Sequence, residues 1–149
     1  MFLGTYTGKL SPKRRVAMPS SFRKILGENF IVAKWYERCL VIIGRDNWKA
    51  LLEKLTGKVE LITRPVRDTD RFILGSAYEV KPDPQGRFII PEVLKDYAQL
   101  TDEIVFVGLG ERIEVWNKHE WHKKEKEVQE QASAMIEELA KDIRKGGKL

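Results

Sequence analysis

The first 27 residues contain no aspartate and no glutamate. They do contain six cationic side chains: Lys9, Lys13, Arg14, Arg15, Arg23 and Lys24. Residues 28–149 carry 21 Lys and Arg against 22 Asp and Glu, a net charge of −1 in a chain of +5. Basic character is therefore concentrated in one place, and placement governs the attraction of a polyanion more than net charge does. Other scarcities narrow the field. Cys39 is the single cysteine, so no intrachain disulfide is available; beside the apolar residues 40–43 it reads as a small core residue in a reducing, cytoplasmic setting. No apolar run approaches the ~20 residues that a membrane-crossing helix needs. The start, MFLGTYTGKL, lacks a charged segment followed by an apolar one, so it is not expected to act as a secretory signal. His119 and His122 are the two histidines, three apart on an expected helix; no cysteine or third histidine lies near them in the chain, so no metal site is expected. No Ser/His/Asp or Cys/His constellation stands out, and no glycine-rich loop joins a strand to a helix. Catalysis, a cofactor and a small-molecule substrate are accordingly not expected.

What is present is a pattern that occurs twice. Residues 4–10 and 15–18 read as short strands joined by a turn at 11–14, where Ser11-Pro12 has turn chemistry and Pro19 stops the second strand. Lys13, Arg14 and Arg15 leave that turn as a cationic tip. Phe22, Ile25 and Leu26 fall on one face of a short helix, and residues 30–33 and 39–43 are apolar runs of strand length joined through 34–38. Asp46 is placed to cap a helix whose Trp48, Leu51, Leu52 and Leu55 form a core-facing stripe. The connection is expected at 56–65, and a further helix from Asp68 to about Leu74. Then the order returns: a strand from Gly75, the turn Asp83-Pro84-Gln85-Gly86, the strand Arg87 to Ile90, Pro91, a short helix with Val93, Leu94 and Tyr97, and strands at 104–107 and 113–116. Asn117-x-x-Glu120 has capping-box spacing and opens a long last helix ended by Gly146-Gly147.

With an offset of 72, Ser11, Arg15 and Pro19 fall on Asp83, Arg87 and Pro91; with 73, residues 40–43 fall on 113–116 and Trp48 on Trp121. A unit this short cannot bury a core alone, whereas two closing on each other can. The expected fold is α+β: two repeats, residues 1–55 and 66–125, closing into one small β-barrel core with peripheral helices, and a C-terminal helix over 118–145. The repeats differ in charge. Residues 76–100 hold Lys81, Arg87 and Lys95 against Glu79, Asp83, Glu92 and Asp96. The first copy is thus expected to contact ligand and the second to complete the fold or the assembly.

A turn, an Arg, an apolar strand and a Pro, twice over, resemble the paired motif of the MraZ family, built of two AbrB-like swapped-hairpin units. Each family copy carries Asp-x-x-x-Arg, usually with Gly before the Arg. Asp83-Pro84-Gln85-Gly86-Arg87 matches fully, and Met1-Phe2-x-Gly4, Gly75-x-Ala77-x-Glu79 and the strand-to-Trp endings at Trp48 and Trp121 are also similar. The likeness covers roughly residues 1–125. The first copy departs: Ser11 stands for Asp and Arg14 for Gly. An Arg there would cost about 1 kcal/mol if the backbone needs positive φ.

The resemblance implies a transcriptional regulator of the division and cell-wall gene cluster. Such a protein is cytoplasmic and nucleoid-associated, and forms a ring-like, octamer-class homo-oligomer on short direct repeats of double-stranded promoter DNA. The expected DNA contacts are Lys13, Arg14 and Arg15, with Lys9 in support. Arg23 and Lys24 are equally consistent with DNA contact and with solvated charge. Ser11, Asp83, Gly86 and Arg87 are assigned to turn structure, with Arg87 set against Asp83. Trp35 and Tyr36 beside Lys34 suit either stacking on single-stranded bases or packing on a neighbouring subunit. Two other functions stay open: a non-catalytic interaction protein of the same fold that reads no DNA sequence, and an AbrB-type antitoxin whose last helix grips a toxin.

Overall fold

The structure is a computed structural model that describes residues 1–57 and 63–146. In chain order the first copy supplies β1 (Phe2–Lys9), β2 (Arg15–Ala17), α1 (Ser20–Leu26), β3 (Phe30–Trp35), β4 (Cys39–Gly44) and α2 (Trp48–Thr56). After α3 (Arg64–Ile73), the second supplies β5 (Tyr78–Val80), β6 (Arg87–Ile89), α4 (Glu92–Tyr97), β7 (Glu103–Gly110), β8 (Arg112–Asn117) and α5 (Lys118–Gly146). Residues 1–118 form one compact unit and the helix beyond it a second.

Strand pairing interleaves the copies. The main sheet is antiparallel with order β1-β7-β8-β4-β3-β5. Exchanging each strand for its counterpart in the other copy reverses that order and leaves it unchanged, so a pseudo-two-fold passes between β4 and β8. The first strand of each copy pairs with the third strand of the other, β1 with β7 and β5 with β3. The two tip strands form a separate ribbon, β2 with β6, in the register Arg15 to Ile89, Val16 to Phe88 and Ala17 to Arg87. Neither copy has a complete sheet without its twin.

One face of the main sheet carries Phe30, Val32, Leu40, Ile42, Phe106 and Ile113 into the core. The ribbon closes that core from the other side with Val16 and Phe88, and α1 and α4 add Phe22 and Leu94. Phe30 meets Phe88 edge to face, with ring centres 5.1 Å apart. The opposite sheet face is buried as well, through Ala33, Val41, Ile43 and Val105. Burial on both faces is why these strands are continuous apolar runs without polar alternation.

Closure into a barrel does not occur. β1 and β5 are the two ends of an open sheet, because the tip strands pair with each other and, among the described residues, leave no strand to bridge those ends. Asp46 lies in a 3₁₀ turn (Arg45–Asn47) ahead of α2, whose first turn has no side-chain cap. Of the stripe on α2 only Leu51 is fully buried; Trp48, Leu52 and Leu55 are half-buried. α3 begins at Arg64, four residues before Asp68, with Pro65 in its first turn where a missing N–H costs nothing. Residues 58–62 of the expected connection, and Gly147, lie outside the described residues. Trp35 is buried, stacked on Tyr36 at 4.6 Å and faced by the Arg112 guanidinium at 5.7 Å, which closes it to nucleobases.

Candidate nucleic-acid interface

The two turns share a backbone and differ in side chains. In the first, Arg14 N–H donates to Ser11 O at 2.8 Å and Ser11 N–H to Arg15 O at 2.9 Å. In the second, Gly86 N–H donates to Asp83 O and Asp83 N–H to Arg87 O, both at 2.9 Å. The residue before each arginine lies in the left-handed region, Arg14 at φ +63° and Gly86 at φ +80°. This is the arrangement of a three-residue hairpin connection, where the last loop residue takes that conformation. Replacing Gly by Arg therefore leaves the turn unaltered, and Arg14 carries the roughly 1 kcal/mol that a side chain costs there.

Asp83 divides its two oxygens. Oδ1 accepts from the backbone N–H of Gln85 and of Arg87, each at 2.9 Å, and Oδ2 holds Arg87 Nε at 2.8 Å. Those bonds, the one from the Arg87 backbone first among them, hold the Asp83 carboxyl below its ordinary value. The Ser11 side chain has one oxygen, and it accepts from Arg15 N–H at 3.1 Å. The backbone tie is kept and the guanidinium tie has no counterpart. Among the described residues no carboxylate lies within 4.0 Å of Lys9, Lys13, Arg15 or Lys24, all of which are exposed.

Two of the six N-terminal cations are engaged within the fold. Arg14 is half-buried, and its Nε donates to the Ile90 carbonyl at 3.0 Å while Ile90 N–H donates to Arg14 O at 2.8 Å. Arg23, on α1, donates to the Pro84 carbonyl and lies against Gly86 so closely that a Cβ there would sit 2.7 Å from Arg23 Cδ and Nε. Each brace joins one copy to the other. The register sends the two tips off opposite ends of the ribbon, and the braces tie each tip to the chain that flanks it.

Lys9 ends β1 opposite Glu103, whose carboxylate is taken by Lys118 at 3.3 Å. Lys13 is exposed at the turn's apex, and Lys24 is exposed on α1. Arg15 and Arg87 both lie on the exposed face of the ribbon, and a groove beside it is lined by Arg15, Arg87 and Lys81 together with Glu79 and Asp83. The structure thus brings Lys13 and Arg15 together on one open tip. It sets Arg14 into the brace and places Arg23 at the other tip. His122 pairs with Glu125 at 4.0 Å, and among the described residues no three metal-ligating side chains gather. No described helix is long and apolar enough to cross a membrane.

The braces were outside the reach of sequence reasoning, since both partners are more than 60 positions apart in the chain. One signal pointed toward the first of them: an arginine in a position that the twin turn gives to glycine needs some compensating contact.

The family model described as "MraZ protein, putative antitoxin-like" matches this chain twice, over residues 1–72 and 73–143. Curated relatives agree along most of its length. The chain is 35% identical over 143 residues to the "Transcriptional regulator MraZ" of Natranaerobius thermophilus, with 96% of each chain covered. It is 33% identical over 143 residues to the protein of the same name from Bifidobacterium longum, covering 96% of this chain and 95% of that one. With the one from Clostridium acetobutylicum it shares 41% over 121 residues, 81% of this chain and 84% of that one. The interleaved copies, the paired turns and these matches have one reading: the chain belongs to the MraZ family.

Proposed function

We propose that this protein is a non-enzymatic transcriptional regulator that grips double-stranded DNA with the tip at Lys13 and Arg15. Lys9 supports from the end of β1, and Arg14 adds its charge from a fixed position. The observation that carries this reading is that Lys13 and Arg15 project into solvent with no carboxylate among the described residues to neutralise them, whereas Arg87 on the twin tip is ion-paired. The relatives' name, "Transcriptional regulator MraZ", supports the same class of activity.

One tip supplies few contacts. Linking several copies in a ring raises avidity without new chemistry, so we propose a ring-like homo-oligomer that sets successive tips on direct repeats in promoter DNA of the division and cell-wall cluster. In this scheme the first repeat, residues 1–55, faces DNA. The second, residues 66–125, completes the shared core, and residues 118–145 continue from it as a helix. The working location is the cytoplasm, on the nucleoid. Titration of fluorescent duplexes at several salt concentrations tests the reading. Repeat-bearing promoter DNA should bind more tightly than scrambled duplex, with log affinity falling by about 0.9 per log salt for each phosphate neutralised. Equal binding of both duplexes would replace it with a fold that reads no sequence.

A second reading has its own observation. α5 leaves Val128, Met135, Ile136, Leu139 and Ile143 exposed, a helix face that an antitoxin would use to grip a partner. Co-purification of a stoichiometric toxin would favour it.

A further inference from the structure

The two turns form an internal comparison in which one exchange sits at the arginine-holding position. Where Asp83 offers two oxygens, one to the backbone and one to the Arg87 guanidinium, Ser11 offers one, and the backbone takes it. We propose that Ser11 is an affinity-determining residue: it keeps the turn shaped while leaving the Arg15 guanidinium unlatched and open to an external phosphate. The twin tip is the latched form of the same device. Ser11 thus acts through Arg15 and touches no ligand itself. The proposal rests on the DNA-binding reading above for its ligand, but not for the latch, which exists in the free protein.

Geometry supports the reciprocity. The two turns have matching backbone hydrogen bonds within 0.1 Å. They also share a left-handed conformation at the residue ahead of the arginine, Arg14 in one and Gly86 in the other. A carboxylate introduced at position 11 therefore meets Arg15 as Asp83 meets Arg87. A latched arginine has given its Nε–H to the carboxylate and has its charge partly neutralised, so it meets a phosphate with fewer donors and weaker attraction. An unlatched one already has its N–H groups facing water, and charge-assisted bonds to phosphate are among the stronger polar contacts available.

The test is Ser11→Asp, alone and combined with Arg15→Ala, in the full-length chain, with two readouts. The first needs no nucleic acid: arginine Nε–Hε resonances. In the wild type the Arg87 signal should exchange slowly with water and the Arg15 signal quickly; in S11D the Arg15 signal should slow to match. The second is affinity for promoter duplex against salt. S11D should bind about threefold to tenfold more weakly, with a slope smaller by about 0.9. In the R15A background, S11D should add little further loss. An Arg15 signal that stays in fast exchange in S11D overturns the proposal. So does an equal loss from S11D with and without Arg15, which would be plain charge repulsion. If Arg15 slows but the wild type shows no salt-dependent binding of duplex, the latch stands and the DNA reading falls.

Discussion

Arg14 and Ile90, 76 positions apart, hold each other by two hydrogen bonds, one running each way between side chain or backbone and backbone. Arg14 sits at φ +63°, where a side chain is disfavoured by about 1 kcal/mol relative to glycine. Its Nε bond to the Ile90 carbonyl returns a similar amount, since a typical hydrogen bond contributes about 1 kcal/mol. The two effects nearly cancel. Arg14→Gly should therefore unfold within about 1 kcal/mol of the wild type, because it sheds the strain together with the bond. Arg14→Ala keeps the strain and loses the bond, and should be less stable than the glycine variant by about 1 kcal/mol. Denaturant unfolding of the three proteins measures both differences.

Gly86 is constrained from two sides. Its φ is +80°, and a Cβ there would meet Arg23 at 2.7 Å. Gly86→Ala should cost about 2 kcal/mol, part from the backbone and part from the displaced Arg23 side chain. Adding Arg23→Ala removes the second part, so the double variant should lose less than the sum of the singles. Losses that simply add in the double variant would show that the contact is not made.

The turn at Asp83 should carry a pH signature. Its carboxyl is held below the ordinary value near 3.8, first by the Arg87 backbone N–H. A group whose folded value is depressed stabilises the fold above its unfolded value and loses that contribution as pH falls through the folded one. The stability gap between wild type and Asp83→Asn should be constant near neutrality and close below about pH 4. Denaturation midpoints taken from pH 7 down to pH 3 give that gap directly.

Glu114 has the opposite sign. Burial, ahead of every other influence, raises its carboxyl above the ordinary value, although Trp116 Nε1 donates to it at 2.9 Å and the Arg112 Nε lies 3.9 Å away. A raised carboxyl favours the fold below its unfolded value, and that advantage is lost as pH rises through the folded one. Glu114→Gln keeps an acceptor for Trp116 and removes the buried charge. It should raise stability at pH 7, by an amount that shrinks as pH falls through the raised Glu114 value. A gain that is independent of pH would contradict this account.

Much of this architecture was legible because both copies carry the same punctuation. Proline stops β2 and β6 at Pro19 and Pro91, turn residues open both tips, and the apolar runs have strand length. Open ends on the sheet were not legible. Whether β1 and β5 meet depends on how the tip strands pair, and β2 and β6 each have only three residues with no register signal. At the site, exposure of Lys13 and Arg15 followed from their place at a turn. The engagement of Arg14 and Arg23 did not, because a guanidinium bonded to a distant carbonyl leaves no periodicity in the chain. Trp35 beside Lys34 and Tyr36 suited either base stacking or packing on a neighbouring subunit, and packing within its own chain buried it.

The measurement closest to the central claim compares Arg15→Ala with Arg87→Ala, the same change on the unlatched and the latched tip. Both proteins should keep the wild-type oligomeric mass. In duplex DNA titrations across salt, Arg15→Ala should lose affinity and reduce the log–log slope by about 0.9, while Arg87→Ala keeps the wild-type slope. Equal slopes for all three proteins, or the larger loss in Arg87→Ala, would contradict the account.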